Sequence, residues 1–174
     1  VTLLLGGARS GKSALAVEIG RLAGAGVTVV ATATPSDDDM AARIERHRLD
    51  RPAWSAVEEP LALAGAVRGV PAEHLVIVDC LTLWVSNLML AGVEGTEIED
   101  RAGELAGVLA ARPAPTVVVS NEVGLGTHPE HELALAYRDV LGRVNQRVAA
   151  AATRSLLLVA GRALPLQDPW EVLR

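Results

Sequence analysis

The chain has 174 residues, half of them apolar, and a formal charge of −5 from 16 basic and 21 acidic side chains. A single cysteine excludes an internal disulfide framework, and the lack of any block of like charge argues against a nucleic-acid stripe or an anionic-membrane patch. The length suits one domain, residues 1–174, and a core with three Trp, one Tyr and no Phe suits helices on a parallel sheet better than a β-sandwich.

Short apolar runs alternate with longer helical patterns, the signature of βαβ units. Val1–Leu5 is the first expected strand, followed by a Gly-rich turn and a helix over Lys12–Ala23. Gly24 and Gly26 end that helix, and Val27–Ala31 is the next strand. Asp37–Asp50 reads as a helix with three acids in its first turn to meet the positive dipole end, stopped by Arg51-Pro52. Leu61–Val67 is a short helix before the buried strand Leu75–Val78, which ends in Asp79. Leu81–Leu90 and Glu97–Ala111 are helices divided by a turn around Gly92 and Gly95. Thr116–Ser120 is a strand, Glu132–Ala151 a long helix and Ser155–Ala160 a last strand; the tail after Gly161, with Pro165 and Pro169, reads as irregular. No charged leader pattern opens the chain, and no apolar run reaches the ~20 residues of a membrane-spanning helix. A soluble, cytoplasmic protein is expected.

The run Gly6, Gly7, Ala8, Arg9, Ser10, Gly11, Lys12 and Ser13 satisfies the phosphate-loop pattern G-x-x-x-x-G-K-[ST]. Glycines let the backbone curl so that several N–H groups face one anion, and the following helix adds its positive end. Lys12 is expected on the β- and γ-phosphates of a nucleoside triphosphate and the Ser13 hydroxyl on Mg²⁺. Asp79, at the end of a buried strand, is the matching metal acid, and Glu122, after the Thr116–Ser120 strand, is a second candidate. ATPases, small-molecule kinases, nucleotidyltransferases and nucleotide-dependent switches all share these features.

On the helix expected over Asp37–Asp50, Met40, Ile44 and His47 fall on one face, which directs His47 inward among Arg43, Arg46 and Arg48. An imidazole among cations can attack a phosphate, because the cations offset the developing charge. Taken alone, a lone histidine is more often structural.

Four stretches change that weighting: the phosphate loop; Asp38–Ile44 with His47 and Arg51-Pro52; Ser120–Gly126; and Tyr137–Gln146. With these the chain resembles the bifunctional adenosylcobinamide kinase/adenosylcobinamide-phosphate guanylyltransferases of cobalamin biosynthesis. The resemblance implies a RecA-like P-loop fold of three layers around a mainly parallel sheet, and a homotrimer. It implies ATP or GTP as phosphate donor to adenosylcobinamide, then transfer of GMP from GTP to adenosylcobinamide phosphate through a guanylylated histidine, with His47 in that place. It further implies that Gly6–Ser13 bind the triphosphate, that Ala31, Thr32 and Ala33 line the site, and that Arg48, Leu49, Asp50, Arg51, Glu58 and Asp79 contact the nucleotide. Some members carry a second histidine where this chain has Arg46, and relatives can have Glu where it has Asp79.

His128 and His131, with Pro129 between them, suit a turn and helix start better than a metal site. Cys80 reads as a buried small residue, Trp54 and Trp84 as packing, Arg9 as a phosphate contact more than Arg143. No mechanism is evident for Asn145-Gln146.

Overall fold

A computed structural model describes residues 1–24, 26–35, 42, 45 and 52–173. Seven strands form one sheet: β1 (Thr2–Gly6), β2 (Val27–Ala31), β3 (Ser55–Glu58), β4 (Leu75–Asp79), β5 (Thr116–Val119), β6 (Arg154–Val159) and β7 (Arg162–Leu166). The helices are α1 (Lys12–Leu22), α2 (Leu63–Gly69), α3 (Leu81–Leu90), α4 (Gly95–Ala111), α5 (Glu132–Ala151) and the short α6 (Pro169–Val172). Ala42 and Glu45 are helical and exposed. Strand order is β3-β2-β4-β5-β1-β6-β7, and every pairing is parallel except β6 with β7.

The central strands are mainly apolar because both faces are covered. Alternate residues feed two cores. Leu3, Val30, Val76, Val78 and Val118 pack under α2, α3, α4 and α5, with the fully buried Trp84 donating from Nε1 to Leu61 O at 2.9 Å. Leu4, Val29, Ile77, Val117 and Val119 face the other way, against Ala16 of α1. The sheet is thus the middle of three layers, as expected. Among the described residues no helix is long and apolar enough to cross a membrane.

Three elements depart from the sequence reading. Ser55–Glu58 is a strand, exposed throughout and held at the sheet edge by its register with Thr28–Ala31 of β2. The tail is not irregular: Arg162–Leu166 turns back antiparallel on β6, with Pro165 opposite Leu156 on an edge strand where its missing N–H costs no ladder bond. Gly95 begins α4 rather than belonging to the turn, and it sits so close to Val140 Cγ2 that a Cβ would come to 2.9 Å.

Candidate nucleotide site

Parallel pairing brings the carboxyl ends of several strands to one edge of the sheet, where ligands of such folds bind. Across that edge Glu58 is in register with Ala31, Ala31 with Asp79, and Asp79 with Val119, which is in turn in register with Leu4 two residues before Gly6. The sequence candidates Gly6–Ser13, Ala31–Ala33, Glu58 and Asp79 therefore share one rim.

Gly6–Ser13 links β1 to α1. Gly6 has φ +146°, and a Cβ there would run into the Leu158 carbonyl and Ser10 Oγ, so only glycine fits. Gly11, at φ +104°, caps α1 with no side chain, and the first turn of α1 holds no acid. That leaves the positive end of the helix to be met by an anion. Lys12 is buried and donates from Nζ to the carbonyls of Gly6 (2.9 Å) and Gly7 (2.6 Å) and to Ser10 Oγ (3.3 Å). Arg9 is exposed with φ +58°, Gly7 and Ala8 are exposed, and Ser13 is half-buried one residue beyond Lys12. The β6–β7 turn braces the loop from outside, Gly161 N–H donating to Ser10 O at 3.0 Å.

Asp79 is half-buried at the end of β4, and the Asp79–Cys80 peptide is cis. Thr32 holds this corner. Its N–H donates to Asp79 O (3.0 Å), and its hydroxyl donates to Cys80 O (2.7 Å) and accepts from Cys80 N–H (2.9 Å). Thr32 is fully buried, so it acts on the rim by fixing the Asp79–Cys80 backbone. Asn87 of α3 completes the corner, donating from Nδ2 to the carbonyls of Thr32 (2.7 Å) and Pro60 (3.3 Å). Burial and then the neighbouring Asp79 charge push the Cys80 thiol pKa up, which keeps it protonated and poorly nucleophilic. Glu58 is exposed at the end of β3, while the adjacent Glu59 turns its Oε1 to the N–H groups of Leu61 (2.9 Å) and Ala62 (2.8 Å).

The sequence reading missed the anchor of the β5 end. Asn145 of α5 is buried, accepts from Ser120 Oγ–H at 2.7 Å through Oδ1, and donates from Nδ2 to Asn121 O at 3.0 Å. Thr82 joins the same junction, its Oγ1 accepting from Asn121 N–H (2.8 Å) and its carbonyl from Tyr137 OH (3.1 Å). The available signal was a lone amide on the buried face of α5, between Val144 and Val148.

Trp54 lies against Gly20 of α1, and Arg143 pairs with Glu99 of α4 at 2.9 Å. His128 is exposed and His131 stands at the N-cap position of α5 with no side-chain capping bond; among the described residues they join no metal-ligating group. His47, Arg48, Leu49, Asp50 and Arg51 lie outside the described residues, as does most of the helix expected over Asp37–Asp50.

A strand, a phosphate loop with an uncapped helix behind it, and an acid two strands away define an α/β P-loop nucleotide-binding protein. Solved structures agree at the level of fold. The Pyrococcus horikoshii OT3 protein PH0250 superposes with TM-score 0.59 at 8% identity, over 97% of this chain and 86% of that one. A prototypical ATPase from the type III secretion system of pathogenic bacteria gives TM-score 0.57 at 12% identity, over 91% of this chain and 50% of that one.

Sequence narrows the class to a family. The model for cobinamide kinase / cobinamide phosphate guanyltransferase matches residues 2–166. The Pseudomonas aeruginosa bifunctional adenosylcobalamin biosynthesis protein CobP is 42% identical over 167 residues, covering 95% of this chain and 96% of its own. The Escherichia coli K12 bifunctional adenosylcobalamin biosynthesis protein CobU is 40% identical over 174 residues, covering 91% and 95%. The chain belongs to the cobinamide kinase / cobinamide phosphate guanyltransferase family, and it is a transferase.

Proposed function

We propose that this chain, as one domain, phosphorylates the terminal hydroxyl of the aminopropanol arm of adenosylcobinamide with ATP or GTP, and then moves GMP from GTP to that phosphate through His47. In the second step an imidazole nitrogen of His47 bonds to the α-phosphorus as the bond to the departing pyrophosphate breaks. The corrinoid phosphate then attacks the same phosphorus and releases the imidazole. Splitting one substitution into two gives each a good leaving group.

The observation that carries this reading is the shared rim: a glycine-built anion loop, a helix end free of side-chain caps and first-turn acids, and Asp79 on the second strand over. Backbone N–H groups of Gly7–Ser13 bind and orient the triphosphate, and Lys12 offsets charge on its terminal oxygens. Arg9 extends the cationic rim into solvent, Ala31–Ala33 form its floor, and Arg48, Leu49, Asp50, Arg51 and Glu58 supply further nucleotide contacts. The Ser13 hydroxyl and the Asp79 carboxylate are hard oxygen donors that suit Mg²⁺, and they are the residues that would hold it. Bound there, the ion would supply positive charge against the phosphate oxygens.

A cytoplasmic homotrimer is part of the proposal. Leu164, Leu166, Trp170 and Leu173 leave an apolar surface on β7 and the tail that subunit contact would cover, and a sedimentation mass of one chain would contradict it.

Product analysis tests the chemistry. With GTP, Mg²⁺ and adenosylcobinamide phosphate, the expected products are a GDP-linked corrinoid and pyrophosphate in equal amounts. Orthophosphate with unchanged corrinoid would overturn the transfer reading.

A further inference from the structure

The loop after β5 presents a carboxylate that the reading above leaves without work. β5 lies between β1, which carries the phosphate loop, and β4, which carries Asp79. A side chain carried just past its carboxyl end therefore comes from the strand between those of the phosphate grip and the metal acid. Glu122 is that side chain, two residues past the buried Ser120.

Glu122 is tied to both neighbours. Its N–H donates at 3.2 Å to Gly6 O, the carbonyl that also accepts from Lys12 Nζ at 2.9 Å. Asn121, just before it, is fixed by Thr82 Oγ1, three residues beyond Asp79, and by the buried Asn145. Val123, just after it, packs on the main core. Glu122 is half-buried as a residue, and the hydrogen bond to its carboxylate is exposed. Oε1 accepts from Gly124 N–H at 2.7 Å, and among the described residues Oε2 takes no hydrogen bond. A preorganised carboxylate with one oxygen held and one available is suited to receive a proton.

The other rim acids suit this role less. Asp79 is the metal carboxylate of the proposed site. Glu58 sits on β3, three strands from β5, or about 14 Å at the usual strand spacing.

We propose that Glu122 is the general base of the phosphorylation step, an assignment that rests on the kinase half of the reading above. The substrate hydroxyl gives its proton to Glu122 Oε2 while its oxygen bonds to the γ-phosphorus. The bond from that phosphorus to the β–γ bridging oxygen breaks, and its electron pair leaves with the nucleoside diphosphate. Glu122 then returns the proton to solvent. This makes Glu122 a catalytic residue of the first step, distinct from the histidine of the second.

The test compares wild type, E122Q and E122D in initial-rate assays of adenosylcobinamide phosphorylation, with nucleotide affinity measured by calorimetry. Glutamine still accepts from Gly124 N–H, so the turn survives while basicity is lost. The expected result for E122Q is a kcat lower by about 10²–10⁴-fold, with nucleotide Kd within about threefold of wild type and partial recovery in E122D. A residue that only shapes the turn gives E122Q a wild-type kcat, and that result overturns the proposal. A loss confined to nucleotide Kd or KM overturns it equally. If wild type itself does not phosphorylate adenosylcobinamide, the kinase reading falls and the base falls with it, an outcome that wild type alone reveals.

Discussion

Replacing Asn145 by leucine isolates the junction between α5 and the end of β5. The amide accepts from Ser120 Oγ–H at 2.7 Å and donates to Asn121 O at 3.0 Å, with Ser120 fully buried and Asn121 half-buried. Leucine has similar bulk, so a large cavity is not the issue; the two orphaned groups are. A buried polar group left unpaired costs about 1–3 kcal/mol, and Asn121 O falls at the low end because water can reach it. The apolar side chain returns about 1 kcal/mol through burial. The net expectation is a loss of about 2–3 kcal/mol, or roughly 5–10 °C in Tm for a chain of this size. Urea unfolding should show a lower midpoint with an unchanged m-value. Adding Ser120→Ala removes the orphaned hydroxyl, so the double variant should be more stable than the two single losses predict, by at least about 0.5 kcal/mol. An N145L midpoint equivalent to less than about 0.5 kcal/mol, or strict additivity, would refute the reasoning.

Two further outcomes follow from the same structure. Tyr137 is the chain's one tyrosine, and burial, with a smaller push from Cys80, raises its pKa to about 12. Ultraviolet titration of the folded protein should place phenolate formation well above the ordinary value of about 10. Because the unfolded chain releases that proton first, this group's contribution to stability is present below pH ~10 and lost as pH rises towards 12. A midpoint near 10 in the folded protein would contradict the burial argument. Arg112 donates to four carbonyls after and within the last turn of α2, those of Val67 (3.1 Å), Val70 (3.2 Å), Pro71 (2.7 Å) and His74 (3.0 Å). Arg112→Ala should cost about 2 kcal/mol in urea unfolding, and Arg112→Lys should recover less than half, since one ammonium cannot reproduce the fork.

The central fold was legible because its strands are buried on both faces. Val27–Ala31, with only Thr28 polar, and Leu75–Val78 read as apolar runs, and the helix at Leu81–Leu90 follows where the apolar pattern changes period. The edge elements were not legible. Ser55–Glu58 has no apolar face to bury, and Arg162–Leu166 contains a proline; both are strands only because a partner strand is there to pair with. The site divides in the same way. The phosphate loop is a local pattern, readable from eight consecutive residues. The braces around it are contacts between distant segments: Thr32 with Cys80, Asn87 with Thr32, and Asn145 with Ser120. Ser, Thr and Asn are common enough that nothing in one sequence marks which of them are buried and paired. Glu122 was visible as an acid after a strand, but its ties to Gly6 and to the Asn121–Thr82 contact required the sheet order.

In the proposed reaction the phosphate loop presents GTP to His47. Incubation with Mg²⁺ and GTP labelled at the α-phosphate, followed by denaturation and peptide mapping, tests it most directly. The account predicts one label per chain on the peptide containing His47, acid-labile and alkali-stable, absent in His47→Ala and discharged by adenosylcobinamide phosphate. Undiminished label in His47→Ala, or no label on the wild-type chain, would contradict it.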